Sequence, residues 1–268
     1  MRIARFAAGE EVSYGLVGTA RPGRAAGGGD VVAELAGHPF GGGSDGIRLT
    51  GTTYPLADVR LLAPVLPSKV IGFAPPGAER PERAGDGLDD GSVMYLKPST
   101  TVCGPSDAIR YPALAHRLVA GGKLAVIIGR LCRQVPADQA AAVIFGYACA
   151  LDVTAADLQA SDGQWARAKG FDTFCPLGPW IETDAVAGEV TLVVSVNGQP
   201  RRRASIPRAG QDVAALIAAA SSVMTLLPGD VLLAGGAGDA ASELDCGDEV
   251  SVSIGAVGTL TNEVEKGD

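Results

Sequence analysis

With 268 residues, 47% of them apolar, the chain is long enough to bury a substantial core and too hydrophobic to be a disordered polymer. Its formal net charge of −8, with no basic run beyond Arg201-Arg202-Arg203, argues against nucleic acid or an anionic membrane surface as partner. The opening residues MRIARFAAGEEVSYG lack the apolar core of a signal peptide, and no stretch approaches a membrane span, so a cytoplasmic location is expected. Cys103, Cys132, Cys149, Cys175 and Cys246 are scattered and never in C-x-x-C spacing, which reads as reduced thiols. With His38 and His116 as the only histidines, a histidine-rich metal centre is excluded.

Residues 1–66 carry short apolar segments, "SYGLV" and "DVRLLAP", between the glycine-rich turns "ARPGRAAGGGD" and "GGGSDG". They predict a small β-rich N-terminal domain, with the two-proline segment "APVLPSK" as the hinge into a main domain over 67–268. Beyond the hinge, "SVMYLKP" and "KLAVIIGRL" predict strands. "PADQAAAVIFGYACAL" predicts a helix from its early proline and alanine-rich body. "EVTLVVSVNGQP" predicts a strand entering an Asn197-Gly198 hairpin turn. "QDVAALIAAASSVMTLL" predicts an amphipathic helix stopped by Pro228-Gly229. "DVLLAGG" and "DEVSVSIGAVGTLTNEV" close the chain as strands. Many strands, few helices and no repeat define an α+β class with a β-rich core.

The obvious motifs carry little. "AGGAGDAAS" follows a strand but matches neither G-x-G-x-x-G nor the P-loop. The serines sit in no nucleophile-elbow frame. The arginine triplet reads as a solvated hairpin edge, and His116 as a surface residue. The stretch "VAGGKLAVIIGR" poses a sharper question, because a strand buried on both faces opens on Gly121, Gly122 and the single cation Lys123.

Several segments in one order over about residues 60–262 resemble the fumarylacetoacetate hydrolase family, especially its smaller bacterial branch. They are "LLAPVLPSKVIGF", "YLKPSTTVCGPSDAI", "KLAVIIGR", "GYACALDVTAADLQASDGQWARAKGFDTFCPLGPWI", "SVNGQ" and "SVMTLLPGDVLLAG". The resemblance implies a mixed β-roll or sandwich main domain with few helices, a homodimer, and chemistry on 1,3-dicarbonyl or 2-oxo acid compounds. It also implies a Mg²⁺ or Ca²⁺ held by an E-x-E pair and a later aspartate, since hard dications need several oxygen ligands. In this chain the pair falls on Gly121 and Lys123 and the aspartate on Asp152. The family's histidine- and glutamate-bearing lid motif falls on "APPGAERPER", with Arg80 and Arg83 at those two positions. An expected arginine is Ala156, and the T-G-T-P loop falls on Ala234, Gly235, Gly236 and Ala237. Asp152, Gln159 and Lys169 survive.

These substitutions predict a cleft without a divalent metal or other cofactor, in which Lys123 stands where the ion would be. Candidate catalytic residues are Asp152, Lys169 and Lys123; candidate substrate-binding residues are Gln159, Arg80, Lys97, Gly235 and Gly236. Three readings stay open. One is a metal-independent enzyme acting on an enolisable dicarbonyl or polyketide-like small molecule by tautomerisation, decarboxylation or cyclisation. In it the lysines stabilise an enolate and Asp152, its pKa raised by burial, acts as base. The second is a non-catalytic binding or structural relative, with Lys123 reaching solvent and Asp152 and Lys169 kept as an ion pair or cap. The third is a Mg²⁺-dependent hydrolase or oxaloacetate decarboxylase with a site rebuilt from Glu79, Glu82 or Asp86.

Overall fold

The computed structural model describes residues 1–19, 30–40, 47–74, 93–184, 190–206, 209–235 and 241–267. The described chain is mostly β, as its composition of short apolar segments implied, and is arranged as two sheets of thirteen and five strands. The long sheet runs from Leu49–Pro55 through Asp30–Leu35 and Glu11–Thr19 to Arg2–Ala8. It continues through Cys175–Glu182, Ile144–Ala155, Leu118–Ile128, Val231–Ala234 and Lys69–Ala74 to Val93–Pro98 at its edge. The N-terminal strands therefore extend the main sheet, with Arg2 opposite Glu182 and Ile3 opposite Ile181.

The second sheet takes Gln199–Ile206, Val190–Val196, Glu249–Ile254, Gly258–Lys266 and Ile109–Tyr111 in that order. Its first hairpin turns on Asn197 and Gly198, whose φ values of 52° and 70° are the left-handed pair a two-residue turn demands. Period-two alternation then sends Leu192, Val194, Val252 and Ile254 inward. They meet Leu124, Val126, Leu151 and Val153 of the central hairpin formed by Leu118–Ile128 and Ile144–Ala155, and this contact is the main core.

The expected helix over 136–151 is corrected. A 3₁₀ turn spans Ala137–Val143, and Ile144–Ala155 is a strand with its last eight residues buried. Alanine's helix preference over ordinary residues is worth only a few tenths of a kcal/mol each, and two-sided burial between neighbouring strands overrides it. The later helix is present as Ala209–Val223.

Gly122 answers half of the question posed by the glycines. A Cβ there would fall 2.7 Å from both Leu192 Cδ2 and Val194 Cγ2, so the two sheets approach too closely at this point for any side chain. Gly121 faces the other way, and its Cβ would meet only Lys123 Cε at 3.8 Å. Gly122→Val is expected to lower stability by about 1–3 kcal/mol through overpacking, read by urea unfolding. Gly121→Ala should stay within about 0.5 kcal/mol. Equal effects of the two would contradict this division of faces.

Candidate active site

Strand alternation decides what reaches the cleft. Val119, Gly121 and Lys123 share one face, and Gly121 lies directly opposite Asp152. Farther along, Ala125 and Ile127 close that face against Val231, Leu233 and Cys175. At the other end it opens into a cleft of about 140 Å³, walled also by Tyr95, Thr154, Gln159, Trp165 and Lys169.

Asp152 is the centre of a hydrogen-bonded cluster and is 7% exposed. Its Oδ1 accepts from Lys97 Nζ at 2.8 Å, and its Oδ2 accepts from Lys169 Nζ at 2.8 Å and from the Tyr95 hydroxyl. Lys97 Nζ donates also to the Val153 carbonyl at 2.8 Å, and Lys169 Nζ to Thr154 Oγ1 at 2.8 Å. Tyr95 and Lys97 reach the same carboxylate because they are two apart on Val93–Pro98 and so share a face. The Tyr95 ring lies across Gly72 on the neighbouring strand, where a Cβ would sit 2.1 Å from a ring carbon. Lys169 ends the short helix Ala166–Lys169, with its Nζ 4.4 Å from the Tyr95 ring centroid and 6.0 Å from that of Trp165. Both distances suit cation–π attraction.

Burial by itself pushes the Asp152 carboxyl upward, but Lys169, Lys97 and Lys123 outweigh it, and the group is held well below the usual carboxylate range. Burial also acts on Lys169, and although Asp152 pulls its ammonium up, Lys97 and Lys123 work with burial to bring it down to about 8. Cys175, close behind, is pushed by burial up to about 12, the state of an inert core thiol.

The structure brings Asp152, Lys123, Lys169 and Gln159 into one cleft. It departs from the sequence reading at Asp152 and at Lys97. Asp152 is not a base with an elevated pKa, because three lysines hold it ionised. Lys97 is not a substrate-binding residue: it is fully buried, and its ammonium serves Asp152 and a backbone carbonyl. Gly235 follows Val231–Ala234 and is not among the described residues lining the cleft. Arg80 and Gly236, with Glu79, Glu82, Arg83 and Asp86, lie outside the described residues. Sequence reasoning missed Tyr95, Thr154 and Trp165. The Tyr95/Lys97 and Asp152/Thr154 pairs each stand two apart in a strand, and that spacing was the available signal.

The metal implied by the resemblance does not fit these residues. Opposite Asp152 is a glycine, Lys123 is two residues farther on, and both Asp152 oxygens are already engaged by ammonium or hydroxyl donors. Among the described residues no three His, Cys, Asp or Glu side chains gather to hold an ion.

Comparison with known proteins agrees with this topology. The model of the fumarylacetoacetate hydrolase C-terminal domain matches residues 78–265, and an Rv2993c-like N-terminal model matches residues 1–64. The chain is 45% identical over 237 residues to Protein Rv2993c of Mycobacterium tuberculosis, covering 86% of each. It is 33% identical over 194 residues to oxaloacetate tautomerase YcgM of Escherichia coli, covering 70% of this chain and 88% of that one. The crystal structure of 5-carboxymethyl-2-hydroxymuconate delta-isomerase from Mycobacterium smegmatis superposes with a TM-score of 0.84. It is 43% identical and covers 99% of this chain and 100% of its own. The chain belongs to the fumarylacetoacetate hydrolase family.

Asp152→Asn leaves buried ammonium groups without their anion and is expected to destabilise the fold by about 3–5 kcal/mol, measured by urea unfolding. A carboxyl whose folded pKa is depressed stabilises fully above its unfolded value of about 3.9 and loses that contribution as pH falls below it. The acid limb of stability in the wild type should therefore be steeper than in Asp152→Asn. Titration calorimetry with MgCl₂ or MnCl₂ should detect no stoichiometric binding; a one-to-one isotherm would contradict the fit argument.

Proposed function

We propose that this cleft catalyses enolisation of a small 1,3-dicarbonyl or 2-oxo acid without a divalent metal, as a tautomerase-type or related lyase activity. The observation that carries the reading is the placement of Lys123 and Lys169 in one cleft around a carboxylate that is itself fully engaged. Positive charge fixed on the buried Lys123 and Lys169 stabilises an oxyanion without reorganising as the charge develops. The names of two relatives, an oxaloacetate tautomerase and a hydroxymuconate isomerase, support enolate chemistry as the class.

The division of labour follows from the electrostatics. Lys169, brought down to about 8, takes a proton in its neutral form from the carbon between the carbonyls. It becomes an ammonium beside the enolate it has created. Lys123 neutralises the enolate oxygen. Asp152 stays an anion and holds Lys169 and Tyr95 in place, so it is a positioning residue. Gln159, which lines the cleft from the helix Ala156–Asp162, supplies an amide for the substrate's second oxygen.

Ketonisation of enol-oxaloacetate, followed by ultraviolet absorbance with excess chelator, tests this. Catalysis should persist in chelator and rise with pH to a plateau above about 8, because in this direction Lys169 enters as the neutral amine, takes the enol hydroxyl proton and returns it to carbon as the ammonium. Lys123→Met and Lys169→Met should each lose about 10²-fold or more. Activity that appears only when Mg²⁺ is added would overturn the metal-free reading. A folded protein inert toward every enolisable probe would assign the chain a binding role.

A further inference from the structure

We propose that Thr154 is a further ligand-contacting residue, its hydroxyl donating to the second carbonyl oxygen of a small ligand that lies across Gly121 with its first oxygen on Lys123. The inference rests on the enolate reading above for the class of ligand, and adds to it how the cleft recognises the second oxygen. Thr154 is 4% exposed and lines the cleft. A hydroxyl carries one proton and two lone pairs. Oγ1 accepts from Lys169 Nζ at 2.8 Å, so its own proton points away from that nitrogen, and among the described residues it meets no acceptor. A buried donor left unpaired is costly, and an acceptor oxygen on the ligand satisfies it.

The hairpin register places the two ends. On the cleft face Val119 stands opposite Thr154, Gly121 opposite Asp152, and Lys123 opposite Ala150. Rows on one face lie about 6.8 Å apart, so Thr154 and Lys123 flank the Gly121 row from its two sides. Lys123 leans over the glycine, where a Cβ would come 3.8 Å from Lys123 Cε, and Gly121 itself is a floor without a side chain. The helix Ala156–Asp162 follows directly on the strand that carries Thr154, so Gln159 enters the cleft from the Thr154 end. A carbonyl oxygen has two lone pairs and takes one donor from each. The cleft, at about 140 Å³, admits only a small molecule, and a ligand with one oxygen reaches only one of the two ends. The bond from Lys169 also tunes the contact. A hydroxyl that accepts from an ammonium is the stronger donor, so proton uptake by Lys169 strengthens the Thr154 contact as enolate charge develops.

Ligand-detected magnetic resonance titrations of pentane-2,4-dione and pentan-2-one into the full chain test the contact, with chelator present and at a pH below about 8, where Lys169 is an ammonium. The wild type should bind the dione about tenfold tighter than the one-oxygen ketone. Thr154→Val keeps the branched shape and should lose most of that ratio, whereas Thr154→Ser keeps the hydroxyl and should retain it. A wild-type ratio near one, or a ratio lost equally in Thr154→Ser, would overturn the proposal. So would a ratio that survives Thr154→Val, whether or not both affinities fall, since a hydroxyl that only supports Lys169 acts on both ligands alike. Ketonisation of enol-oxaloacetate by the wild type together with a surviving ratio leaves the enolate reading standing without this contact. The expected ratios in a protein that does not ketonise leave the contact standing without that reading.

Discussion

Taking the Asp152 carboxylate out of water costs several kcal/mol unless opposite charges and hydrogen-bond donors meet it, and the chain supplies them from separate elements. Lys97 and Tyr95 come from the edge strand Val93–Pro98, Lys169 from the helix Ala166–Lys169, and Lys123 from the neighbouring central strand. These elements are joined through one side chain far apart in sequence. The cluster therefore couples the edge of the long sheet to its centre, and its geometry is settled only when the whole sheet is assembled. Both oxygens of this carboxylate are met by ammonium or hydroxyl donors, and the same lysines that hold it ionised make it a poor base. The same hydrogen bonds that stabilise Asp152 remove it from the chemistry.

What the carboxylate gives up, the lysines receive. Three ammonium groups act on one acid, so the cluster is not neutralised internally, and burial adds to the mutual repulsion felt by Lys169. An anionic ligand, or an anion formed during reaction, relieves that imbalance. In the proposed reading, positive charge that the family resemblance assigns to a dication is carried by side chains. The small residue at Gly121 keeps space open beside them. The aromatic pair Tyr95 and Trp165 orders the cation of Lys169 by cation–π attraction, while its polar contacts leave its position almost no freedom.

Much of the fold was legible in the sequence, but through matched segments more than through periodicity. The strands Val93–Pro98, Leu118–Ile128 and Glu249–Ile254 follow directly from their apolar patterns, and Asn197-Gly198 marks its hairpin by turn chemistry. Residues 144–155 did not, because a strand buried on both faces and rich in alanine has the composition of a helix. Within the site, Asp152, Lys169, Lys123 and Gln159 were identified from their alignment with the family's motifs. The roles of Asp152 and Lys97 were not, since a pKa and a partner depend on residues that only the register brings together. Burial predicts an elevated Asp152; three converging lysines reverse the sign. Gly72 is informative only once the Tyr95 ring is seen lying over it.

The protonation state of Asp152 distinguishes a lysine-held anion from a vacant metal ligand. Carbon-detected magnetic resonance of the aspartate carboxyls, titrated from neutral pH to about 4.5 with and without Mg²⁺, reads it in the folded protein. The Asp152 resonance should remain at its ionised shift throughout and should not move when Mg²⁺ is added. A midpoint within or above the ordinary carboxylate range, or a saturable Mg²⁺-induced shift, would contradict the lysine-held carboxylate on which the proposed chemistry depends.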